Sequence, residues 1–382
     1  MDLSAALWSD LPLEMLEQVL SYLHVPDLCR YRTVCKRWDR LMCDPKFGSL
    51  CAQNAAKREG SLIAMRYSIG GWSHGGWCFL DVNARRWYVF KDDGQGFRRN
   101  FYYQNVRMDG GLVCQYSFKH DLGLEEIIVY NPMLQTHREV PTRPLKCLAS
   151  KGFPELLLVV DNISQSFKIF LFYISVHDPS RLRLVYDSVS NEWKTSTSPF
   201  RISSGSKLLG SNVIFQGYLY IYKYYSSPKE HPLWRYNLLK DAWENLDVPI
   251  GDELWSDRLI VSANRLFLVG WSTGDRSFQL SELKVPDMTR EVLFKLSEAD
   301  VVELGFGTGI KNRMLDIPGI SAFSFGNSLL FMSMLTGISA AFDVVTRSWD
   351  RNFPPNPLEY LPDRLCLWVG EQMNLLLPCT LW

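Results

Sequence analysis

The sequence predicts a mainly β fold with a small α module, three N-terminal helices followed by a six-bladed β-propeller. Three observations carry that prediction. The first 45 residues repeat apolar side chains at helical spacing, whereas the text from Ser61 onward alternates like strands. A phrase of the form Asp/Asn-x5-Trp then recurs: "DVNARRW" from Asp81, "DSVSNEW" from Asp187, "NLLKDAW" from Asn237 and "DVVTRSW" from Asp343. The gaps Trp87 to Trp193 and Trp243 to Trp349 are each about twice the gap Trp193 to Trp243. One hidden unit in each long gap gives six repeats of roughly 50 residues, the period of a propeller blade.

The helices come first. Asp10 is placed to cap "LPLEMLEQVLSYL", with Pro12 in the first turn, where a missing N–H costs nothing. Leu13, Leu16, Leu20 and Leu23 form one stripe, which Met15 and Val19 widen. Pro26 separates this helix from "PDLCRYRTV", and "VCKRWDRLM" follows. In that third helix Val34, Trp38, Leu41 and Met42 share a side, with Lys36, Arg37, Asp39 and Arg40 mostly opposite as a solvated face. Cys35 lies at the apolar edge and reads as a small packing residue, since no His-bearing partner motif accompanies it. So short a module rarely buries enough surface to stand alone. Its surplus apolar stripes therefore dock on the rest of the chain or fill another protein's groove.

A helix-compatible bridge, "FGSLCAQNAAKRE", replaces any Gly/Ser-rich or Pro-rich linker, so the two parts are expected at a fixed angle. The expected division is 1–45 for the helical module, 46–60 for the bridge and 61–382 for the ring. Within the ring the hidden units are "VYNPMLQTH" at Asn131 and "ELKVPDMTR" at Lys284, which keep the spacing and lose the Trp. Runs such as "NVIFQGYLYIY", "RLIVSANRLFLV" and "SAFSFGNSLLFMSM" read as hairpins with Gly or Asn turns. The repeated phrase is assigned to each blade's outer hairpin, where Asp or Asn turns the chain and Trp packs between blades. Only three strand-like runs lie between Ser61 and Phe90. The C-terminal stretch "RLCLWVGEQMNLLLPCTLW" is expected to supply the missing strand and close the ring, which removes exposed edges.

Composition narrows the function. Lys+Arg and Asp+Glu both number 41 in 382 residues, so no excess positive charge draws the chain to phosphate backbones. With 47% hydrophobic and 13% aromatic residues the chain is rich enough to pack. Nine cysteines without a C-x-x-C pair suit reduced thiols and a place in the cytoplasm, the nucleus or both. Neither a secretory leader nor an apolar run of about 18 residues is read in the sequence, so no membrane is expected. "GFGTGI" from Gly305 lacks the Lys-Ser/Thr of a phosphate loop and is read as an ordinary loop. With no metal spacing, nucleophile motif or paired-carboxylate motif, the chain is read as a non-enzyme without metal or cofactor. Four histidines, His74, His120, His177 and His231, fall between the second and third strands of successive blades. They are read as polar loop residues, since loops on different blades are too far apart to share one zinc ion.

The pattern from Trp8 to Leu41, "WSDLPLEMLEQVLSYLHVPDLCRYRTVCKRWDRL", closely resembles the F-box. Six degenerate kelch-like repeats behind it resemble the plant F-box/kelch and F-box-associated proteins. Gly70–Gly71, Gly75–Gly76 and Gly110–Gly111 are the only double glycines resembling the kelch signature. The resemblance implies a trihelical module that binds the Skp-type adaptor of cullin–RING ubiquitin ligases, with Leu11, Pro12, Leu16, Leu20, Leu23, Val34, Cys35 and Trp38 meeting or supporting it. It implies a propeller that holds a protein target for ubiquitination and degradation. A second implied role is a transcriptional cofactor that reaches DNA only through a bound regulator. Trp72, His74, Tyr225, Lys229, His231 and Arg276, all between second and third strands, are the candidates for target binding, being residue types of binding hot spots or rim histidines.

Overall fold

The computed structural model describes residues 11–23, 25–55, 62–69, 74–91, 103–119, 124–131, 136–141, 154–161, 164, 166–173, 181–198, 212–222, 233–238, 240, 242–246, 254–272, 274–307, 320–333, 336–355 and 369–373.

Among the described residues four helices come first: α1 (Leu13–Leu20), α2 (Val25–Arg32), α3 (Lys36–Met42) and α4 (Pro45–Ala55). Pro12 is the N-cap residue before α1, with ψ of 142° and no side-chain cap, and is not in the first turn as expected. Asp10, the expected cap, lies outside the described residues. Ser21 ends α1 well before Pro26, which sits in the first turn of α2, where proline is tolerated. Asp44 caps α4 by accepting from Lys46 N at 2.8 Å, with Pro45 at the first helical position. The described part of the bridge, through Ala55, is thus a helix in its own right. A buried chain of hydrogen bonds pins it to α1: Asn54 Nδ2 donates to Ser21 Oγ at 2.7 Å, and Ser21 Oγ donates to Gln18 O at 2.7 Å.

Six antiparallel four-stranded sheets follow. The first holds β1 (Leu62–Ile69), β2 (His74–Asp81) and β3 (Arg86–Lys91). The second holds β4 (Tyr103–Asp109), β5 (Leu112–Lys119), β6 (Leu124–Asn131) and β7 (Thr136–Glu139). The third runs through β8 (Pro154–Asp161), β9 (Ser166–Tyr173), β10 (Arg181–Asp187) and β11 (Glu192–Ser198). The fourth has β12 (Asn212–Phe215), β13 (Tyr218–Tyr222), β14 (Leu233–Asn237) and β15 (Ala242–Leu246). The fifth has β16 (Leu254–Ser262), β17 (Arg265–Ser272), β18 (Ser277–Lys284) and β19 (Thr289–Ser297), followed by a short helix α5 (Glu298–Glu303). The sixth has β20 (Ile320–Phe325), β21 (Ser328–Ser333), β22 (Ser339–Asp343) and β23 (Ser348–Asp350). The last strand, β24 (Val369–Met373), completes the first sheet: Met373 pairs with Leu62 and Val369 with Arg66, in the order β24-β1-β2-β3. The ring closes with the C-terminal strand, as the missing strand in the first unit requires.

The cause of closure is legible in the side-chain period. On β5, Leu112, Cys114 and Tyr116 pack toward the third blade, while Val113 packs toward the first. On β17, Leu266 and Leu268 enter the seam with the fourth blade; Phe267, Val269 and Trp271 enter the seam with the sixth. Successive strand residues point to opposite faces, so a strand apolar at nearly every position needs a neighbour on both sides. Only a ring gives every blade two neighbours. Six buried clusters match the six seams, from the first and second blades round to the sixth and first.

The repeated phrase forms the outer hairpin in each blade. Asp81 Oδ1 accepts from Ala84 N at 2.9 Å, Asp187 Oδ1 from Val189 N at 2.9 Å, Asn237 Oδ1 from Lys240 N at 2.9 Å, and Asp343 Oδ1 from Val345 N and Thr346 N at 2.8 Å. The chain then passes through a left-handed residue two positions before the Trp: Arg85, Asn191 or Arg347, with φ of 47°, 56° and 55°. Three of the four tryptophans reach back to the preceding blade, and the side chain of Trp243 lies outside the described residues. Trp87 Nε1 donates to Pro354 O at 3.3 Å, Trp193 Nε1 donates to Pro141 O, and Trp349 packs on Phe294 of β19 at 5.3 Å between ring centres. In the fifth blade Arg290 stands where the Trp would be. The left-handed Met288, buried at 4% exposure, fills that seam instead.

Candidate functional site

Two surfaces matter, one at each end of the strands. The first belongs to the helices. Leu16 and Leu20 are 0% and 1% exposed and join Leu28, Leu41, Met42, Phe47 and Cys51 in one cluster with Trp77 and Phe79 of β2 and with Val106, Met108, Val113, Ile128 and Tyr130 of the second blade. Leu23 and Trp38 pack against the same cluster. The module is therefore seated on the seam between the first two blades. Arg30 strengthens the seat from the outside, its guanidinium 5.7 Å from the ring centre of Tyr88 on β3.

This burial divides the expected adaptor set. Leu16 and Leu20 face the chain's own core. Leu11 is half-buried, Pro12 and Cys35 are exposed, and Val34 is 60% exposed. Val34, expected on one side of the third helix with Trp38, Leu41 and Met42, lies outside it, because α3 starts only at Lys36, with Cys35 as its extended N-cap at φ −160°. The stripe of α1 expected to meet the adaptor is thus the one packed on the ring. A second one, Met15, Val19 and Tyr22 at i, i+4 and i+7, stays open to solvent beside Leu13, and Tyr31 and Val34 extend the open apolar surface around the α2–α3 turn. Its spacing was visible in the sequence; which stripe turns inward depends on the blades beneath.

Electrostatics hold the open surface in shape. Arg32 Nε donates to Asp39 Oδ1 at 2.9 Å, tying α2 to α3, and Tyr31 meets Trp38 edge to face at 5.7 Å. Lys36, Arg37 and Arg40 are exposed, the solvated basic face the helical pattern predicts. Burial pushes the Cys43 thiol up.

The second surface is the rim made by the connections between second and third strands. Leu62, the first residue of β1, pairs with Asp81, whose turn begins the outer hairpin, so the module attaches at the outer-hairpin end of the first blade. The β1–β2 connection lies at the far end of the same eight-residue strands, about 25 Å away at strand rise. By chain position the candidates Trp72, Tyr225, Lys229 and His231 belong to the β1–β2 and β13–β14 connections, but they lie outside the described residues, as do His120 and His177. His74 opens β2, its side chain also outside. Arg276, between β17 and β18, is described: it is exposed, left-handed at φ 48°, and bonded to Glu298 of α5 at 3.0 Å.

Helix α5 was not expected, and it gives the first glycine of "GFGTGI" a role, while 308–310 lie outside the described residues. Ser297 and Asp300 form a capping box at its start. At its end Phe306 N donates to Val301 O and Gly305 N to Val302 O, a Schellman cap whose left-handed residue is Gly305 at φ 84°. Gly305 O and Phe306 O then accept from Thr336 Oγ1 and Ser333 Oγ, each at 2.7 Å. The first glycine is a helix stop fastened to the sixth blade. The signal, Ser-x-x-Asp followed by Gly, was present in the sequence.

Among the described residues no group of three or more His, Cys, Asp or Glu is placed to hold a metal ion, and no helix is long and apolar enough to cross a membrane.

Residues 8–47 match the F-box-like family model. The chain carries an F-box-like domain. Its resemblance to plant F-box proteins extends further. F-box only protein 6 of Arabidopsis thaliana is 24% identical over 268 residues, 70% of this chain and 53% of that protein. An F-box/kelch-repeat protein of the same plant is 24% identical over 205 residues, 50% of this chain and 52% of its own length. The chain thus spans about half the length of these two relatives. Another Arabidopsis F-box protein is 26% identical over 399 residues, 97% of this chain and 98% of that one. Among solved structures, one from a nidogen/laminin complex aligns with a TM-score of 0.45 at 13% identity, covering 77% of this chain and 94% of that one.

Proposed function

We propose that this chain is the substrate-recognition subunit of an SCF-type ubiquitin ligase. The F-box-like domain grips a Skp-type adaptor and through it a cullin–RING core, and the propeller holds a protein target. The observation that carries the reading is the open apolar surface of Leu13, Met15, Val19, Tyr22, Tyr31 and Val34 on a module whose other face is buried against the ring. A groove-filling partner suits such a surface. The seat on two blades turns the module and the propeller into one rigid piece, with the target rim at the opposite end of the strands. Transfer of ubiquitin is then accelerated by proximity and orientation, with no residue of this chain doing the chemistry.

The test is capture of adaptor and cullin from plant extract with the proteasome blocked. Met15→Asp/Val34→Asp places charges on the open surface and leaves the buried cluster intact, so the variant folds and loses the adaptor. A folded variant that keeps the adaptor removes the proposed surface. A target held equally by both forms, without ubiquitin and with unchanged abundance, moves the reading to the transcriptional cofactor role.

A further inference from the structure

The outer face of α5 has the marks of a binding platform. Glu298, Val302 and Gly305 follow one another at i, i+4 and i+7, so they line one side of the short helix and its cap. Val302 on α5 is 46% exposed and Ile338 on the β21–β22 connection is 39% exposed. Ile338 lies against the helix end: a Cβ on Gly305, which is left-handed at φ 84°, would stand 2.8 Å from Ile338 Cδ1. Gly307 has the same relation to Thr336 Cγ2 at 3.0 Å. The capping box, the Schellman cap and the two hydroxyl-to-carbonyl bonds fix the platform before anything binds. Rigid apolar surface of this kind loses little ordering entropy on association.

Charge surrounds the apolar spot unevenly. Glu298, Asp300 and Glu303 project from α5, and Asp275 lies at the neighbouring β17–β18 connection. Among the described residues two cations stand against these four carboxylates, Arg276 on Glu298 at 3.0 Å and Lys295 on Asp275 at 2.8 Å. Asp300 is held ionised by the Ser297 hydroxyl and backbone N–H, and Glu303 is exposed. The surplus is negative. This end of α5 lies on the rim formed by connections between second and third strands, away from the F-box-like module.

We propose that this platform docks a basic segment of a protein partner, one aliphatic side chain resting on Val302 and Ile338 while lysine or arginine side chains approach Glu303 and Asp300. The inference rests on the reading of this rim as the target-binding end, and it names the chemistry of the target. It differs from the adaptor surface in position and in sign of charge.

The probe is a fluorescent peptide of alternating leucine and lysine, titrated into the full chain, with a leucine–glutamate peptide as counterpart. The expected result is saturable binding of the lysine peptide alone, with amide-exchange protection confined to 298–307 and 336–340. Glu303→Lys and Val302→Ser each weaken it by about tenfold or more. Both residues are exposed, so the melting temperature stays unchanged and the loss is one of contact. Equal binding of the two peptides, protection elsewhere, or variants that bind as the parent does would overturn the proposal. Adaptor capture by the same variants is unaffected on this scheme. If the parent chain fails to capture the adaptor yet binds the peptide at this platform, the ligase reading falls and the platform stands.

Discussion

Arg85 and Asp350, 265 positions apart in sequence, join the first blade to the last: Arg85 Nη2 donates to Asp350 Oδ2 at 2.6 Å and Nη1 donates to Asn352 O at 2.7 Å. The guanidinium also covers the ring of Phe353 at 5.0 Å. Arg85 is the left-handed residue of its outer turn, and the same position clasps the preceding blade elsewhere. Asn191 Oδ1 accepts from Arg138 at 2.8 Å between the second and third blades, and Arg347 donates to Glu291 at 3.0 Å between the fifth and sixth. Two-fifths exposure of both partners keeps the ion pair modest. Arg85→Ala is expected to cost about 1 kcal/mol, mainly through the carbonyl bond and the stacking it loses, and urea titration measures it. Arg85→Lys should recover little, since a lysine neither forks nor stacks the same way.

Asp343 organises the outer turn of the sixth blade with two backbone N–H bonds. Asp343→Ala is expected to lose about 1–2 kcal/mol, and Asp343→Asn to keep most of it, because the amide oxygen can accept both bonds. Equal losses in the two variants would assign the effect to charge.

Acid should weaken the fold in a defined direction. The Thr346 backbone N–H holds the Asp343 carboxyl below its usual range, and the Asn352 backbone N–H does the same for Asp350, with Arg85 adding to it. A carboxylate lowered on folding adds stability above the ordinary carboxylate pKa of about 4, and that stability fades as pH falls through the lowered value. The melting temperature should be level above about pH 5 and fall below about pH 4, with a shallower fall in Asp343→Ala.

Thiol accessibility separates the cysteines. Cys35 and Cys43 are exposed, while Cys51, Cys78 and Cys114 are buried, and burial drives the Cys114 thiol far above its usual value. Iodoacetamide should label the first two in the folded chain and reach the other three only after unfolding. Early labelling of Cys78 or Cys114 would mean that the blade seams open.

Deleting 369–373 removes β24 and bares the edge of β1 from Leu62 to Arg66. The expected result is a chain that self-associates in light scattering, since unpaired strand edges seek partners.

Much of this was legible because it is local. Asp81, Asp187, Asn237 and Asp343 turn the chain with bonds to residues two or three positions on, so the sequence carries both partners in one phrase. Trp87, Trp193 and Trp349 announce a seam because their spacing from that turn never changes. What escaped depends on partners far away in sequence. Whether Leu16 or Met15 faces outward is decided by Trp77, Met108 and their neighbours on two blades, which α1 alone does not reveal. The short α5 escaped for the opposite reason, its six residues giving too little apolar periodicity although the caps were readable at Ser297 and Gly305. Four of the six nominated rim residues fall outside the described part of the chain.

The seating of β24 beside β1 also sets an order of events during synthesis. The helical module is made before the two blades that seat it, and those blades before the strand that closes the ring. The ring is left open until the strand at 369–373 emerges, the last described element to be made. For most of its translation the nascent chain presents an apolar helical surface and a gapped first sheet together. A chain stopped before 369 keeps the edge of β1 open.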